Sequence, residues 1–371
     1  MTSNSEVSHS SSSSSSSSTA NTIDRSKLEE FMMKAVGDMA SSLGAMMIIL
    51  GDRLGLYKAM AKSGPITSEE LSTQTNTAER YIREWLASQA AAGYITFNSK
   101  DKTFSLSPEN AMVLANEDSP AFILGSYQIL RSVFKDEDKF VEIFKSGKGL
   151  RWGEHHHDLF EGTAKFFKPN YLSNLVPSWI PSLDGMQEKL KQGAKIADIG
   201  CGYGVSTVIM AKEYPNSKFY GFDNHKASIE AARKLAQKED VTDRIEFAVV
   251  SANESIGNDF DLVAFFDCLH DMADPVSALK FAKQSLKSDG ACMIIEPMAN
   301  DNIEDNLNLV GKIYYSASSI ICVPNSLADN GIALGAQAGE EKIKEITKKA
   351  GFTKFRRSSQ TPFNIVYEAK I

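Results

Sequence analysis

The segment that begins at Lys195 constrains this chain more than any other stretch. Apolar residues lead to Asp198, a glycine-rich loop follows, and a helical pattern starts at Val205. A second apolar run ends in another carboxylate, Asp223. Glycine suits a loop where a side chain would clash or where φ must be positive. The pattern predicts a doubly wound α/β fold whose loop holds a nucleoside-bearing cofactor. The glycines of this loop are Gly200, Gly202 and Gly204.

The glycine spacing distinguishes two classes of cofactor. A dinucleotide fingerprint requires Gly-x-Gly-x-x-Gly, but its third glycine would fall on Val205 or Thr207, depending on the register. Asp198, just before the glycines, would also repel a pyrophosphate. S-adenosylmethionine carries an ammonium and a sulfonium and no phosphate, so a nearby carboxylate attracts it, while Asp223 can accept both ribose hydroxyls. The pattern favours S-adenosylmethionine; the alternative is a tight strand–helix turn that binds no ligand.

With these residues, the region 195–371 resembles the class I S-adenosylmethionine-dependent methyltransferases. The resemblance implies a Rossmann-like, mostly parallel sheet of seven strands that ends in an antiparallel hairpin. Alternating apolar and helical patterns predict parallel strands and right-handed crossovers. The predicted parallel strands are residues 196–199, 219–223, 245–250, 262–266 and 292–296, and the predicted hairpin strands are 355–357 and 363–367.

The Leu-His-Asp segment that contains His270 narrows the resemblance to plant-type small-molecule O-methyltransferases. In those enzymes this histidine is the general base, and an acid at the tip of the fifth strand, here Glu296, would orient it. Histidine suits proton transfer near neutral pH. A hydrogen-bonded loop histidine that only shapes the pocket is the alternative, and Glu296 could equally be structural. The third acid of that family would fall on Glu340 or Glu341, but the shorter spacing to the hairpin leaves that role unassigned.

Three further residues are candidates for cofactor contact because ligands bind at the carboxyl ends of strands in open sheets. Asp267 follows the fourth strand. Ser251 follows the third strand, where the family usually has an acid for the adenine amino group; this departure puts the adenine contact in doubt. The segment through Tyr171 resembles methyltransferases with an N-terminal winged-helix domain, and we expect Tyr171 to contact the cofactor from the lid side.

Three adjacent histidines, 155–157, suggest a metal at first sight. On a helix, successive side chains point about 100° apart, so the three cannot ligate one ion together. No second ligand cluster of suitable spacing is visible, and no metal is expected. Lining of a substrate pocket and a solvent-facing polar helix are the two interpretations.

A winged helix is predicted over residues 54–107, with Thr67 and Glu70 arranged as a capping box. Its basic and acidic residues nearly balance, and Arg80 and Arg83 stand beside acids, so DNA phosphates find little positive charge. The chain's net charge is −7. We expect packing and dimerisation, and regard nucleic-acid binding as the less favoured alternative.

The chain is divided by these patterns into four regions. Residues 1–21 are a serine-rich tail expected to be disordered; 22–118 form an apolar helix and a winged-helix dimerisation domain; 119–190 form a helical linker and substrate lid; 191–371 bind the cofactor. No apolar run of about 18 residues and no secretory signal are recognised. The four cysteines contain no Cys-x-x-Cys and fit a reducing cytoplasm.

Together these features predict methyl transfer from S-adenosylmethionine to a small molecule, with a hydroxyl as the expected acceptor and a homodimer as the expected assembly. A cofactor-sensing transcription regulator is the alternative from a different class. The acceptor's identity does not follow from the sequence.

Overall fold

The computed structural model describes residue 1 and residues 23–371. Contacts divide the chain into two compact units, Met1–Met46 and Met47–Ile371. The predicted disordered tail, apart from Met1, lies outside the described residues. The boundaries of the four predicted regions remain predictions.

The first helix, α1 (Arg25–Arg53), confirms the predicted apolar helix. Its best 18-residue window has a mean hydropathy of 1.3, and only 17% of that window is buried. By length and composition this helix meets the criterion for a membrane span, so the expectation that no segment would meet it was wrong. A single such helix near an N-terminus is weak evidence for a membrane, because signal sequences and soluble-protein helices pass the same test.

The predicted winged helix is present in the second unit. Helices α2 (Leu56–Ser63), α3 (Ser68–Thr75) and α4 (Glu79–Ala91) precede an antiparallel hairpin of β1 (Thr96–Asn98) and β2 (Thr103–Ser105). The Thr67 hydroxyl accepts a hydrogen bond from the Glu70 amide, and the Glu70 carboxylate accepts one from the Thr67 amide, so the capping box is confirmed. Apolar residues of these helices and the hairpin form one core, which includes Leu56, Tyr57, Met60, Leu71, Trp85, Leu86 and Phe104.

Helices connect this module to the sheet. They are α5 (Pro108–Leu114), α6 (Leu124–Lys135), α7 (Glu137–Ser146), α8 (Asp158–Asn174) and α9 (Met186–Gln192). Helices α6 and α8 pack closely, because a Cβ at Gly125 would collide with the Phe166 backbone. A short π-helical turn, Leu175–Trp179, follows α8.

The central sheet has seven strands in the order β5-β4-β3-β6-β7-β9-β8. All neighbours are parallel except β9, which runs antiparallel between β7 and β8. This confirms the predicted mostly parallel, doubly wound fold. The strands are β3 (Lys195–Ile199), β4 (Lys218–Asp223), β5 (Ile245–Val249), β6 (Phe260–Phe266), β7 (Leu286–Pro297), β8 (Lys354–Gln360) and β9 (Asn364–Lys370).

Helices cover both faces of this sheet over two separate apolar clusters. Helices α10 (Val205–Glu213) and α11 (Lys226–Lys238) pack in one cluster, and α12 (Pro275–Ser285) and α15 (Glu340–Lys349) in the other. Helices α13 (Leu309–Ala317) and α14 (Val323–Ala328) lie between β7 and α15 in the chain. A π-helical turn, Ser318–Cys322, joins α13 to α14. Helix α8 and this turn matter most for function, because both contribute side chains near the carboxyl ends of the strands.

Candidate active site

Five polar side chains lie where the parallel strands reach their carboxyl ends, and this end of the sheet is called its cofactor edge below. Strands β3, β4, β6 and β7 run parallel and end at this edge, whereas β9 begins here because it runs in the opposite direction. The side chains are Asp198, Asp223, Asp267, Glu296 and Asn364. Across residue 1 and residues 23–371, no lysine or arginine forms an ion pair with any of the four carboxyl groups among them.

The glycine loop after β3 has the backbone that its sequence predicts. Gly200, Gly202 and Gly204 all have positive φ, at 69°, 52° and 73°. A Cβ on Gly204 would lie 2.6 Å from the Phe247 ring, so a side chain there would strain both the backbone and the packing. At Gly202, by contrast, a Cβ would meet no atom within 4 Å. The loop therefore presents bare backbone at Gly202, as a ligand-binding turn requires.

Asp223 fastens this loop to the tip of β4. One carboxylate oxygen accepts a hydrogen bond from the Gly202 amide at 2.9 Å, and the other accepts one from the His225 amide at 2.8 Å. Burial raises the pKa of Asp223 above its ordinary value, and the hydrogen bonds from the two backbone amides oppose that rise. Each carboxylate oxygen has a second lone pair, so both can still accept a hydroxyl.

Asp198 is fully buried at the end of β3. Its Oδ2 accepts hydrogen bonds from the Ser206 and Thr207 hydroxyls, both at 2.6 Å. Its Oδ1 has no partner in the described structure. Burial raises the pKa of Asp198 to about 6. A buried acceptor without a donor is uncommon in folded proteins, so Asp198 retains capacity for a donor or a positive charge.

Asp267 lies just beyond β6 with a positive φ of 51°. Its Oδ1 accepts a hydrogen bond from the side-chain Nδ2 of Asn364 at 2.6 Å, and its Oδ2 lies 3.5 Å from the Tyr171 hydroxyl. Burial raises the pKa of Asp267 to about 8, and the nearby Glu296 adds to the rise. Tyr171 is itself buried and stacks on Phe167, with ring centroids 5.6 Å apart. Helix α8 thus reaches the strand ends where Tyr171 was expected to act.

His270 and Glu296 form a buried pair. His270 lies in a single 3₁₀ turn after β6, and its Nδ1 is 2.7 Å from Glu296 Oε2. Burial lowers the pKa of His270, but Glu296 and the Cys322 thiol outweigh it and hold that pKa well above its ordinary value. Glu296 Oε1 is buried and has no partner among the described residues. Sequence reasoning paired these two residues correctly.

An apolar wall adjoins the pair. Cys322 belongs to a buried cluster contributed by α8, α13 and the π-helical turn. Its buried members are Leu159, Phe160, Tyr314, Ile321, Cys322 and Ala336, with Ile129, Trp152, Tyr203, Val310 and Ile320 packed against them.

Comparisons with known proteins agree with this geometry. Residues 190–351 match a family model described as a methyltransferase domain, and residues 42–116 match an Rv2258c-like winged HTH domain. The matched domain contains the glycine loop and His270. This chain is an S-adenosylmethionine-dependent methyltransferase.

Relatives and solved structures extend the similarity to the whole methyltransferase. It is 24% identical to myricetin 3-O-methyltransferase 3 of Solanum habrochaites, over 91% of this chain and 94% of the relative. A ubiquinone biosynthesis O-methyltransferase of Actinobacillus pleuropneumoniae is 30% identical, over 33% of this chain and 53% of its own length. This chain thus aligns with about half of that relative.

Two solved structures share the fold. An O-methyltransferase family protein from Burkholderia thailandensis has a TM-score of 0.69 at 16% identity, covering 91% of this chain and 98% of its own. Human N-acetylserotonin methyltransferase in complex with SAM has a TM-score of 0.67 at 15% identity, covering 94% and 99%. At such identities the likeness concerns the fold.

The residues at the site fit S-adenosylmethionine. The open backbone at Gly202 and the free lone pairs of Asp223 suit an adenosyl group. The unpartnered Oδ1 of Asp198 and the absence of a described lysine or arginine partner suit a cation rather than a pyrophosphate. We expect the glycine loop, Asp223 and Asp267 to hold the cofactor in this methyltransferase.

Helix α14 links the 3₁₀ turn at Trp152 to the turn that carries His270. Asn325 Oδ1 accepts a hydrogen bond from the Trp152 amide at 2.9 Å, and its Nδ2 donates to the Asp271 carbonyl at 3.1 Å. The Ser326 hydroxyl donates to the Met272 carbonyl at 2.9 Å. These bonds fix the position of the His270 turn relative to α14.

Three residues considered in the sequence analysis lie apart from this network. Ser251 follows β5 and is half-buried; its hydroxyl receives only a long 3.4 Å bond from the Asn253 amide. Glu340 pairs with Arg357, and Glu341 forms an ion pair with Lys344. Among the described residues, neither glutamate forms a hydrogen bond or ion pair with His270, and the role of a third acid stays unassigned.

The three histidines do not lie on a helix, contrary to the expectation. His155 ends a 3₁₀ turn, and His157 is the residue before α8. The ligand atoms of His156, His157 and Asp158 lie within 4.8 Å of one another, as in a metal site. Asp158, however, already accepts bonds from Arg131 and, at 3.4 Å, from Lys135, whose ammonium also lies 2.9 Å from His156. These positive charges oppose a metal ion.

Sequence reasoning missed three polar residues of this site. Asn364 and Asn325 carry no motif, Asn170 lies in the segment through Tyr171 but was given no role there, and the partners of all three are far away in the sequence. The asparagine at the start of a terminal strand was the one available signal. An antiparallel last strand must begin at the edge where the parallel strands end, and Asn364 is its first residue.

Proposed function

We propose that this methyltransferase transfers a methyl group to a hydroxyl of a small molecule, with His270 as the general base. One observation carries the proposal: the buried contact of 2.7 Å between His270 Nδ1 and Glu296 Oε2 at the cofactor edge of the sheet. A histidine held by a carboxylate is a recurrent arrangement for proton removal.

The pair divides the work between its two side chains. An ionised Glu296 can only accept hydrogen bonds, so the Nδ1 of His270 carries the proton of that bond. Nε2 is then the atom that takes the proton from the acceptor hydroxyl. Glu296 stabilises the imidazolium that results, as the carboxylate does in other histidine–carboxylate pairs.

S-adenosylmethionine, when bound, supplies an electrophilic methyl carbon. We propose that the glycine loop approaches its adenosyl group, that Asp223 accepts the ribose hydroxyls, and that Ser251 lies toward the adenine. Asp198 and Asp267, whose pKa values burial raises, favour their ionised forms when its ammonium lies beside them, and their carboxylates then attract it. Tyr171 closes the site from helix α8. Holding two reactants in line can lower the activation free energy by about 7–11 kcal/mol.

The raised pKa of His270 has a consequence for pH dependence. A protonated His270 cannot accept a proton, and the raised pKa keeps His270 protonated to a higher pH than an ordinary histidine. We therefore expect kcat/KM to rise with pH through an apparent pKa above 6.5, the ordinary value for histidine.

We expect the methyl acceptor to be uncharged on the face that contacts the apolar cluster around Cys322. Burying a charge against such a cluster is unfavourable. One relative is named for myricetin and one structural neighbour for N-acetylserotonin. The size and identity of the acceptor are left to experiment.

The direct test uses methyl-labelled S-adenosylmethionine with fractionated cell extract and identifies the labelled product by mass spectrometry. We expect an O-methyl ether of a small molecule, formed by the natural protein and far more slowly by His270→Gln. A labelled amine, or equal labelling by the variant, would contradict the proposal.

The alternative function is a cofactor-sensing DNA-binding regulator, which the match to a winged HTH domain favours. Against it, both arginines of α4 are engaged by glutamates of the same helix: Arg80 with Glu84 at 2.6 Å and Arg83 with Glu79 at 2.7 Å. A gel shift at two salt concentrations tests it. Sequence-specific binding with a steep salt dependence would favour the regulator.

We also propose that the protein forms a homodimer through α1 and works in the cytoplasm. Helix α1 exposes a row of large apolar side chains, which a second copy would cover. Sedimentation of the natural protein and of a Phe31→Lys, Met39→Lys double variant tests this assembly. The exposed side chains are Leu28, Phe31, Met32, Val36, Met39 and Leu43.

A further inference from the structure

Asn364 joins three separate parts of the site. It is the first residue of β9 and is 1% exposed. Its Nδ2 donates to Asp267 Oδ1 at 2.6 Å, and its Oδ1 accepts from Asn170 Nδ2 at 2.6 Å. Asn170 lies on α8, the helix that also carries Tyr171. One amide therefore bridges the end of β6 and the lid helix.

The donors and acceptors along this bridge run in one direction. Asn174 Nδ2 donates to Asn170 Oδ1 at 2.8 Å, Asn170 donates to Asn364, and Asn364 donates to Asp267. An amide is the side chain that can accept at one end and donate at the other while remaining uncharged. Leucine would break both bonds, and aspartate would keep the acceptor and lose the donor.

Helix α8 reaches the same carboxyl group by a second route. Tyr171, the neighbour of Asn170, has its hydroxyl 3.5 Å from Asp267 Oδ2. Adjacent residues point about 100° apart around a helix, so two such contacts fix both the position and the rotation of α8. We infer that Asn364 is a positioning residue that fastens helix α8 to Asp267 at the cofactor edge of the sheet.

This fastening matters because the site is tightly covered. Tyr171 is 5% exposed and His270 is 4% exposed. Reactants must reach these residues, so the cover has to open. When helix α8 is held at Asp267, it lies against a carboxyl group that the cofactor's positive charges would approach. Closing of the site by α8 is therefore linked to cofactor binding.

The first measurement is hydrogen–deuterium exchange in the free protein. In Asn364→Leu we expect the backbone amides of the last two turns of α8 to exchange at least about tenfold faster, since the change leaves the buried Asp267 Oδ1 and Asn170 Nδ2 without this hydrogen-bond partner. Exchange in β3 and β6 should be unchanged. Asn306→Leu is the matched control, because Asn306 is equally buried but bonds only locally, to Asn300 and Asn302.

The second measurement is the affinity for S-adenosylhomocysteine by calorimetry. We expect Asn364→Leu to weaken it about tenfold or more, and Asn306→Leu to leave it unchanged. Asn170→Leu, which breaks the same bond from the helix side, should reproduce the faster exchange even if Asn364→Leu fails to fold. Neither measurement needs an acceptor, so the inference can fail or stand independently of the proposed O-methylation.

A third variant separates positioning from packing. Asn364→Asp places two carboxyl groups together, which can share a proton at low pH and repel each other at high pH. Asp267 also faces Glu296, His270, Tyr171 and Tyr314. We expect α8 protection in this variant at pH 5 and its loss at pH 8, whereas the natural protein changes less. Unchanged exchange and affinity in Asn364→Leu and Asn170→Leu, or no pH dependence in Asn364→Asp, would overturn the inference.

Discussion

Buried carboxyl groups at the two ends of the parallel strands, which form the two edges compared below, have opposite kinds of partner. At the edge where the parallel strands begin, Asp261 accepts two hydrogen bonds of 2.9 Å from the Lys287 ammonium. Glu368, near the end of antiparallel β9, pairs with Arg356 and Lys370. At the opposite edge, Asp198, Asp223 and Asp267 are held by amides and hydroxyls.

This difference distinguishes carboxyl groups that are paired within the fold from carboxyl groups that remain available to a ligand. A carboxylate paired with lysine or arginine is neutralised when the protein folds. A carboxyl group held by neutral donors has no partner charge, and burial raises its pKa, to about 6 for Asp198 and about 8 for Asp267, so a positively charged ligand would favour its ionised form. Groups perturbed in this way cluster at functional sites.

The largest effect is expected at the catalytic pair. His270→Gln should lower kcat by about 10²–10⁴-fold, the usual contribution of base catalysis, while the affinity for S-adenosylhomocysteine changes little. Steady-state kinetics and calorimetry measure the two quantities. The matched change at the opposite edge, Asp261→Asn, should leave kcat as it is. If His270→Gln retains full turnover, His270 is not the base.

A stability effect should follow at Asp198. Burial raises its pKa from 3.8 to about 6, so the folded protein binds this proton more tightly than the unfolded chain does. Its stabilisation is complete below pH 3.8 and is lost as the pH rises through 6. The difference corresponds to about 3 kcal/mol.

Denaturant unfolding at pH 4 and pH 7 checks this expectation. Between these values, the free energy of unfolding of the natural protein should fall by up to about 3 kcal/mol more than that of Asp198→Asn. Equal pH dependence in the two proteins would show that Asp198 does not titrate in this range.

A smaller effect on binding is expected at Asp223. In Asp223→Asn the side-chain amide can accept from only one of the Gly202 and His225 amides. The affinity for S-adenosylhomocysteine should fall about ten- to a hundredfold, the range for hydrogen bonds to charged groups. An unchanged dissociation constant, measured by calorimetry, would refute the ribose assignment.

The smallest effect belongs to the opposite edge. Lys287→Met removes a half-exposed ammonium from Asp261, which keeps its bond from the Lys195 amide. We expect a loss of about 1 kcal/mol in unfolding free energy, and no change in cofactor affinity. A change in affinity comparable to that of Asp223→Asn would break the distinction between the two edges.

The fold could be predicted from the sequence because its signals are local. Apolar runs, glycines and helical periodicity marked every strand of the sheet, and the capping box at Thr67 marked the start of α3. The bounds of β7 were missed, because it begins at Leu286 rather than Cys292. Lysine and aspartate at its start gave no apolar pattern to detect.

The site could be predicted only where residues follow a strand end. Asp223, His270 and Glu296 lie where strand order and chemistry place them. Asn170 and Asn325 could not be found, since each acts through a partner 54 or more residues away in sequence. The histidine segment was expected on a helix, but it lies between a 3₁₀ turn and the start of α8.

The position of β9 has a consequence for how the enzyme is made. The last strand, Asn364–Lys370, lies inside the sheet between β7 and β8 rather than at an edge. Domains fold as units during synthesis, but this sheet lacks an interior strand, and the asparagine that begins it, until residues 364–370 have been made. Because β9 follows every other strand in the chain, β7 and β8 have no partner between them until this segment is available.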